Sequence, residues 1–364
     1  MSRMSTNSFI FNWISQAEEL FNKGSLEKAD NIFAKVLKRD EKCVAALNGR
    51  GRISEALGFN DRAAEFFQKA NEQEVSNYCF EAEKASEEAS YQDAIACYKN
   101  ALNIIDDNLD AIWGLAECYA SIEETKTAAR WYQRYLDLEP EEPEAMHMLS
   151  AMGALQIPDR ASEGYIKILF DRFAPDFDEL LKNDLDYRVP TLISNTIEHY
   201  LNSQKANLKI LDLGCGTGLC GEAVKKFSSR IDGVDLSVQM LKKAKQKLVY
   251  NNLINSDVLS YLKAANCTYD IVLAADVFVY FGALEALFSG LKKVVKPRGL
   301  ILFSLEIQRG SGFSLMSSGR YSHSRPYVRK VADQVGFTEI RVKSETLRLE
   351  YGEPVWGDIW LYQK

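Results

Sequence analysis

Four alanines share one register along the first part of the chain. Ala29, Ala63, Ala94 and Ala128 are spaced by 34, 31 and 34 residues, and each is followed four residues later by a ring, Phe33, Phe67, Tyr98 or Tyr132. Twelve residues before each alanine stands another small residue, Ala17, Gly51, Ala82 or Ala116, and Gly24, Gly58, Ala89 and Glu123 fall at the turn between. Residues four apart lie over the same helical face, so the pattern predicts pairs of antiparallel helices that approach at the small residues and fill the groove between them with the ring. Such a unit cannot bury its apolar face alone and is stabilised by stacking on its neighbours. A non-repeating bundle with alanine at its packing positions is the competing reading.

The pattern resembles the tetratricopeptide repeat over about residues 10–140. Pro140 stands where that family places its turn proline, and Glu41, Val75 and Asp106 replace it in the other units. Residues 141–155 read as one more helix that caps the array, which gives an all-α superhelix over residues 1–157. The resemblance implies a concave face that holds a protein or peptide partner. Residues 1–150 contain 16 Lys+Arg against 27 Asp+Glu, and residues 151–364 contain 28 against 24, so the halves carry −11 and +4. An acidic array repels polyphosphate, which argues against broad nucleic-acid binding, and its charge serves either solubility or the docking of a basic partner. His147, the array's only histidine, is expected to pack or to meet solvent.

At 364 residues the chain exceeds what one core ordinarily serves, which predicts two domains. Seven cysteines, an odd number with no Cys-x-x-Cys pair, fit free thiols in a reducing compartment. No run approaches the roughly 18 apolar residues of a membrane span. The cytoplasm, with no membrane partner, is the expected location.

Past Pro158 and Gly164 the pattern changes, and short apolar runs alternate with amphipathic stretches. Strands are expected at LKILDLG, RIDGVDL, YDIVLAADV and GLILFSLE, with NSDVLSYL as a strand-like turn and helices between them. This alternation predicts a Rossmann-like, doubly wound α/β domain over residues 158–364, whose ligand lies beyond the carboxyl ends of the strands.

The informative stretch is Asp212-Leu213-Gly214-Cys215-Gly216-Thr217-Gly218, at the end of the first strand. Glycines there allow a tight turn and close approach of backbone to ligand. Gly216, Gly218 and Gly221 also satisfy the dinucleotide spacing, so an oxidoreductase is weighed. Asp212 argues against it, because a carboxylate beside that turn repels a pyrophosphate and suits a cationic ligand.

The stretch resembles the first motif of class I S-adenosylmethionine-dependent methyltransferases, and the resemblance implies S-adenosylmethionine as cofactor. It makes Asp212, Gly214, Cys215, Gly216 and Gly218 the first cofactor segment and Asp235 the acceptor of the ribose hydroxyls. Leu236 and Met240 pack the adenine, Asp257 with Val258 reaches its amino group, and Ala274 and Ala275 pass the methionine moiety. Taken alone, Asp235 and Asp257 also read as a helix cap and a turn residue. Residues 170–193 are similar to the aromatic lid of bacterial methyltransferases joined to tetratricopeptide repeats, with Phe173, Phe177 and Tyr187 in place and Tyr187 as the expected cofactor contact. Residues 317–337 resemble the substrate segment of that group, which makes His323 and Tyr321 the candidates for orienting or deprotonating the acceptor; a capping role for His323 is the alternative. Asp276 or Tyr280 can line the acceptor pocket. No metal-ligand set is read. The acceptor stays unassigned, and an interaction scaffold that binds the cofactor without transferring methyl is the alternative function.

Overall fold

The computed structural model describes residues 3–181, 185–201, 207–350 and 352–364, with side chains from residue 9 onward. It divides into two compact units, Met1–Pro140 and Glu141–Lys364.

The first unit is helical throughout its described length: α1 (Arg3–Asn22), α2 (Leu26–Leu37), α3 (Val44–Ala56), α4 (Asn60–Glu87), α5 (Tyr91–Ile104), α6 (Leu109–Ser121) and α7 (Thr125–Leu138). Ala17, Ala29, Ala63, Ala82, Ala94, Ala116 and Ala128 are all buried. The rings abut the small residues of the neighbouring helix so closely that a methyl group on Gly51 would come within 2.6 Å of Phe67, and one on Gly114 within 2.1 Å of Tyr98. Full burial of such a ring, reached at Phe33, Tyr98 and Tyr132 but only in part at Phe67, contributes about 1.5–3 kcal/mol. Gly24, Gly58, Ala89 and Glu123 share the left-handed region at φ +75°, +79°, +56° and +61°, so the turn geometry repeats even where glycine does not.

One junction differs from the others. The 31-residue spacing omits the connection between the second and third units, and α4 runs unbroken for 28 residues. Val75, where a turn proline is missing, is buried within that helix, and no residue there interrupts the backbone ladder.

Helix α8 (Pro143–Ala151), expected to cap the array, groups with the second compact unit, Glu141–Lys364. His147 is buried there: its ring stacks on Tyr165 at 4.1 Å and its Nε2 donates to the Gly319 carbonyl at 2.8 Å. Glu144 of α8 pairs with Arg172 at 2.6 Å.

The second unit continues with α9 (Glu163–Phe173), the short α10 (Phe177–Glu179) and α11 (Val189–Tyr200) before its first strand. Strands β1 (Leu208–Leu213), β2 (Ser228–Asp235), β3 (Asn252–Asn255), β4 (Tyr269–Ala274), β5 (Val295–Ile307), β6 (Phe313–Leu315) and β7 (Tyr321–His323) lie in the order β3-β2-β1-β4-β5-β7-β6. The first five are parallel. Two further strands, β8 (Thr338–Glu350) and β9 (Glu353–Gln363), form an antiparallel ribbon in which β9 also pairs with β5. Both faces are covered: Leu211, Leu213, Val234 and Val272 pack on one side, Ile210, Ile231, Ile271 and Leu273 on the other. This accounts for nearly continuous apolar strands. The strand order reverses direction between β1 and β4, which opens a crevice at their carboxyl ends.

The segment expected as a strand-like turn resolves differently. Strand β3 precedes it, and residues from Val258 form helix α14 (Val258–Ala264) with Asp257 as its N-cap. Among the described residues no helix is long and apolar enough to cross a membrane.

Candidate functional site

Strand β1 delivers the chain into a turn that only glycine tolerates in three places, Gly214 (φ +62°), Gly216 (φ +52°) and Gly218 (φ +95°). The three serve different purposes. A methyl group on Gly214 would lie 2.4 Å from Val277, and one on Gly218 would lie 2.9 Å from Tyr250, so both are packing glycines. At Gly216 the nearest atom would be a Phe177 ring carbon at 3.8 Å, so this position leaves room above the backbone.

Asp235 ends β2 and turns back on that loop. Its Oδ2 accepts from the Gly216 amide and its Oδ1 from the Ser237 amide, each at 2.8 Å. Burial pushes its carboxyl up to about 6. Ser237 caps helix α13 (Val238–Gln246), which buries Met240 beside half-buried Leu236. Asp257 accepts from the Ser260 amide and from Arg160, both at 3.0 Å, so the helix cap and an ion pair coexist on one carboxylate. Val258 and Ala274 are buried, and the Cys215 thiol is driven well up by burial next to Asp235 and Asp212. Cys215, Gly216, Asp235, Leu236, Met240, Asp257, Val258 and Ala274 thus gather around the carboxyl ends of β1, β2 and β4.

Asp212 lies at the end of β1. Its Oδ2 accepts from the Tyr250 hydroxyl at 2.7 Å in a buried setting, and desolvation raises its carboxyl to about 7.

The residues before β1 lie across the loop. Phe170 meets Phe177 edge-on at 6.1 Å and Tyr280 at 5.5 Å. Asp178 accepts from Thr217 and, at 2.8 Å, from Lys247, which also reaches Glu222. Ser237 donates to Asp171 at 2.5 Å. Phe173, expected in the lid, is exposed.

His323 and Tyr321 are both buried, each held by a backbone carbonyl. The His323 ring is buried, with Nε2 donating to the Gly282 carbonyl at 3.0 Å, and burial lowers its pKa to about 4. Tyr321 has no exposed surface and donates to the Pro158 carbonyl at 2.8 Å.

Beyond Ala274 the structure brings together groups from four elements. Asp276, at φ +53°, accepts from Ser304 at 2.6 Å through Oδ1. Its Oδ2 lies 3.5 Å from Arg348 and 3.9 Å from Arg320. Glu306 holds Arg348 at 2.7 Å and Arg320 at 3.4 Å. Arg348 is 1% exposed. It reaches this point because β8 also pairs with the incoming chain: the Arg188 amide donates to Leu347 at 2.9 Å and the Leu349 amide to Leu185 at 2.6 Å. The same pairing brings Tyr187 into the field of Asp276, Arg320 and Arg348, with its phenol driven well up by burial. Sequence reasoning named Asp276, Tyr280 and Tyr187 but not Arg320, Glu306 or Arg348. The one available signal was a charge within the apolar alternation LRLE.

Residues 210–299 match the family model described as a methyltransferase domain, and residues 14–74 and 85–153 match two models described as tetratricopeptide repeat. The chain joins tetratricopeptide repeats to a class I methyltransferase domain. S-adenosylmethionine is the cofactor of that methyltransferase family. The second repeat match extends to residue 153 and so includes α8, which nevertheless packs with the methyltransferase unit.

A malonyl-[acyl-carrier protein] O-methyltransferase of Halalkalibacterium halodurans is 38% identical over 102 residues, 26% of this chain and 38% of that protein. The enzyme of the same name from Priestia megaterium is 32% identical over 138 residues, 37% of this chain and 47% of its own length. The chain therefore spans less than half the length of these relatives. The structure of magnesium protoporphyrin IX methyltransferase from Synechocystis with bound S-adenosylhomocysteine is similar at a TM-score of 0.41 and 19% identity, over 54% of this chain and 98% of that one.

Proposed function

We propose that the methyltransferase domain transfers a methyl group from S-adenosylmethionine to an acceptor beyond Ala274, and that the tetratricopeptide array recruits a protein or peptide that is the substrate or presents it. The observation that carries this reading is the Asp235 carboxylate held beside the open Gly216 backbone by two amides. Each carboxylate oxygen keeps a second lone pair, which suits the two hydroxyls of a ribose. Leu236 and Met240 supply the apolar face for adenine, and Asp257, already bound to Arg160, keeps acceptor capacity for an amino group. Phe170, Phe177 and Tyr187 cover the opposite side, exclude water and favour a sulfonium through cation–π attraction of about 0.5–2 kcal/mol.

When bound, the cofactor supplies a methyl group on a sulfonium that is already a good leaving group. The remaining task for the protein is placement of the acceptor. The curated relatives are O-methyltransferases by name, and an oxygen nucleophile is the reading adopted for this chain. Calorimetric titration of the full chain with S-adenosylhomocysteine tests the cofactor site. Stoichiometric binding that Asp235→Ala abolishes supports it, whereas no binding, or preferential binding of NAD, overturns it.

A further inference from the structure

Arg160 stands on the segment that joins α8 to α9, and that segment is stitched to the loop after β4. The Ala161 amide donates to the Tyr280 carbonyl at 2.9 Å, and the Asp159 carbonyl accepts from the Gly282 and Ala283 amides at 2.8 and 2.9 Å. The Arg160 guanidinium lies 5.8 Å over the Phe281 ring. Its fork divides between two acids: Nη1 donates to Asp257 Oδ1 at 3.0 Å and Nη2 to Glu163 at 2.8 Å.

Asp257 adjoins the residues that end β2. The Ser256 amide donates to the Asp235 carbonyl at 3.1 Å, and the Asn255 side chain donates to the carbonyls of Asp235 and Leu236 at 3.1 and 2.8 Å. Asp257 caps α14 through Oδ2, which accepts from the Ser260 amide, so the cap does not need Arg160. The terminal torsion of an aspartate is broad, and a single donor leaves the carboxylate free to turn. A second donor on the other oxygen fixes its plane. With the arginine side chain 27% and the acid 12% exposed, the pair contributes little to stability, and what the contact supplies is orientation.

A carboxylate only accepts, and each Asp257 oxygen keeps a lone pair beyond these two donors. The exocyclic amino group of adenine donates to such an acceptor. The oxo group that hypoxanthine carries at the same position brings its own lone pairs against the acid. Arg160 is not free to turn and meet that oxo group, because Glu163 holds its second arm and the backbone on either side is bonded to the loop after β4. We infer that Arg160 is a positioning residue which, by fixing Asp257 as an acceptor, makes the site select an aminopurine over an oxopurine. This rests on the cofactor site proposed above.

The test is calorimetric titration of the full chain and of its Arg160→Gln variant with S-adenosylhomocysteine and with S-inosylhomocysteine, in which an oxo group replaces the adenine amino group. The backbone bonds of residues 159–161 do not use the Arg160 side chain, so the variant is expected to fold. The expected result is that the unaltered chain prefers S-adenosylhomocysteine by at least about thirtyfold and that Arg160→Gln lowers this preference about tenfold. A preference that the substitution leaves unchanged, with both ligands weakened equally or not at all, is what a merely structural contact gives and overturns the inference. An unaltered chain that binds both ligands alike overturns it too. Failure of the unaltered chain to bind S-adenosylhomocysteine brings down the cofactor reading and this inference with it, whereas intact binding with an unmoved preference brings down the role of Arg160 alone.

Discussion

The Tyr250 hydroxyl lies 2.7 Å from Asp212 Oδ2 and donates to this buried acid of the glycine motif. Tyr250 also abuts Gly218 and Gly221, so one ring sets the position of both the acid and the helix start. Replacing it with phenylalanine removes the donor and leaves a buried carboxyl short of a partner. Tyr250→Phe is expected to lower the stability of the methyltransferase unit by about 1–3 kcal/mol, read as a reduced urea midpoint at unchanged slope.

The two buried acids make stability and cofactor binding respond to pH in opposite directions. Asp212 and Asp235 have folded pKa values of about 7 and about 6, above the ordinary 3.8. Between those limits the folded state binds more protons than the unfolded state, so stability is greatest at low pH and falls as pH rises through about 7. Binding of a ribose diol to Asp235 needs the ionised form and strengthens with pH across the same window. Urea denaturation at pH 5 and pH 8 is expected to show a downward trend that Asp212→Asn reduces. Calorimetry with S-adenosylhomocysteine is expected to show roughly tenfold weaker binding at pH 5 than at pH 7.5.

Lys247 ties Asp178 of the lid segment to Glu222 at the start of the helix after the glycine turn, and it is largely covered. Lys247→Met keeps the stem and removes the charge. The lid is expected to open more often, seen as faster amide exchange over residues 163–181, and S-adenosylhomocysteine affinity to fall by about three- to tenfold. Unchanged exchange in that segment would show that the aromatic contacts hold the lid without the ion pairs.

His323 and Tyr321 are expected to matter for stability and not for the chemistry. Tyr321→Phe removes the donor to the Pro158 carbonyl and is expected to cost about 1 kcal/mol, with S-adenosylhomocysteine binding unchanged. A loss of cofactor affinity without a loss of stability would return Tyr321 to the site.

In the repeat array, Glu123 holds the left-handed conformation that Gly24 and Gly58 supply at equivalent turns. Glu123→Gly is expected to raise the denaturant midpoint of the array, because a non-glycine residue there costs about 1 kcal/mol. Chemical denaturation of the full chain followed by helical circular dichroism reads the change.

What the sequence alone determined about this protein lies in short-range pattern. The alanine and aromatic register specifies helix pairs because each position has the same neighbours one repeat away, and Ala29, Ala94 and Ala128 are buried as that register requires. The glycine turn and Asp235 were legible for a similar reason: a parallel strand followed by a helix brings the residue ending β2 beside the turn ending β1. Tertiary structure alone decided what α8 packs against, with His147 on Tyr165 and Glu144 on Arg172. It also decided the surroundings of His323 and Arg348. A histidine within a polar segment looks reactive in one dimension, yet three residues of strand turn its ring into the core. Arg348 looks like an exposed strand residue until pairing of β8 with Leu185 and Arg188 buries it beside Glu306. The pairings with Leu185 and Arg188 join residues more than a hundred positions apart, and only the completed sheet brings them within hydrogen-bonding distance.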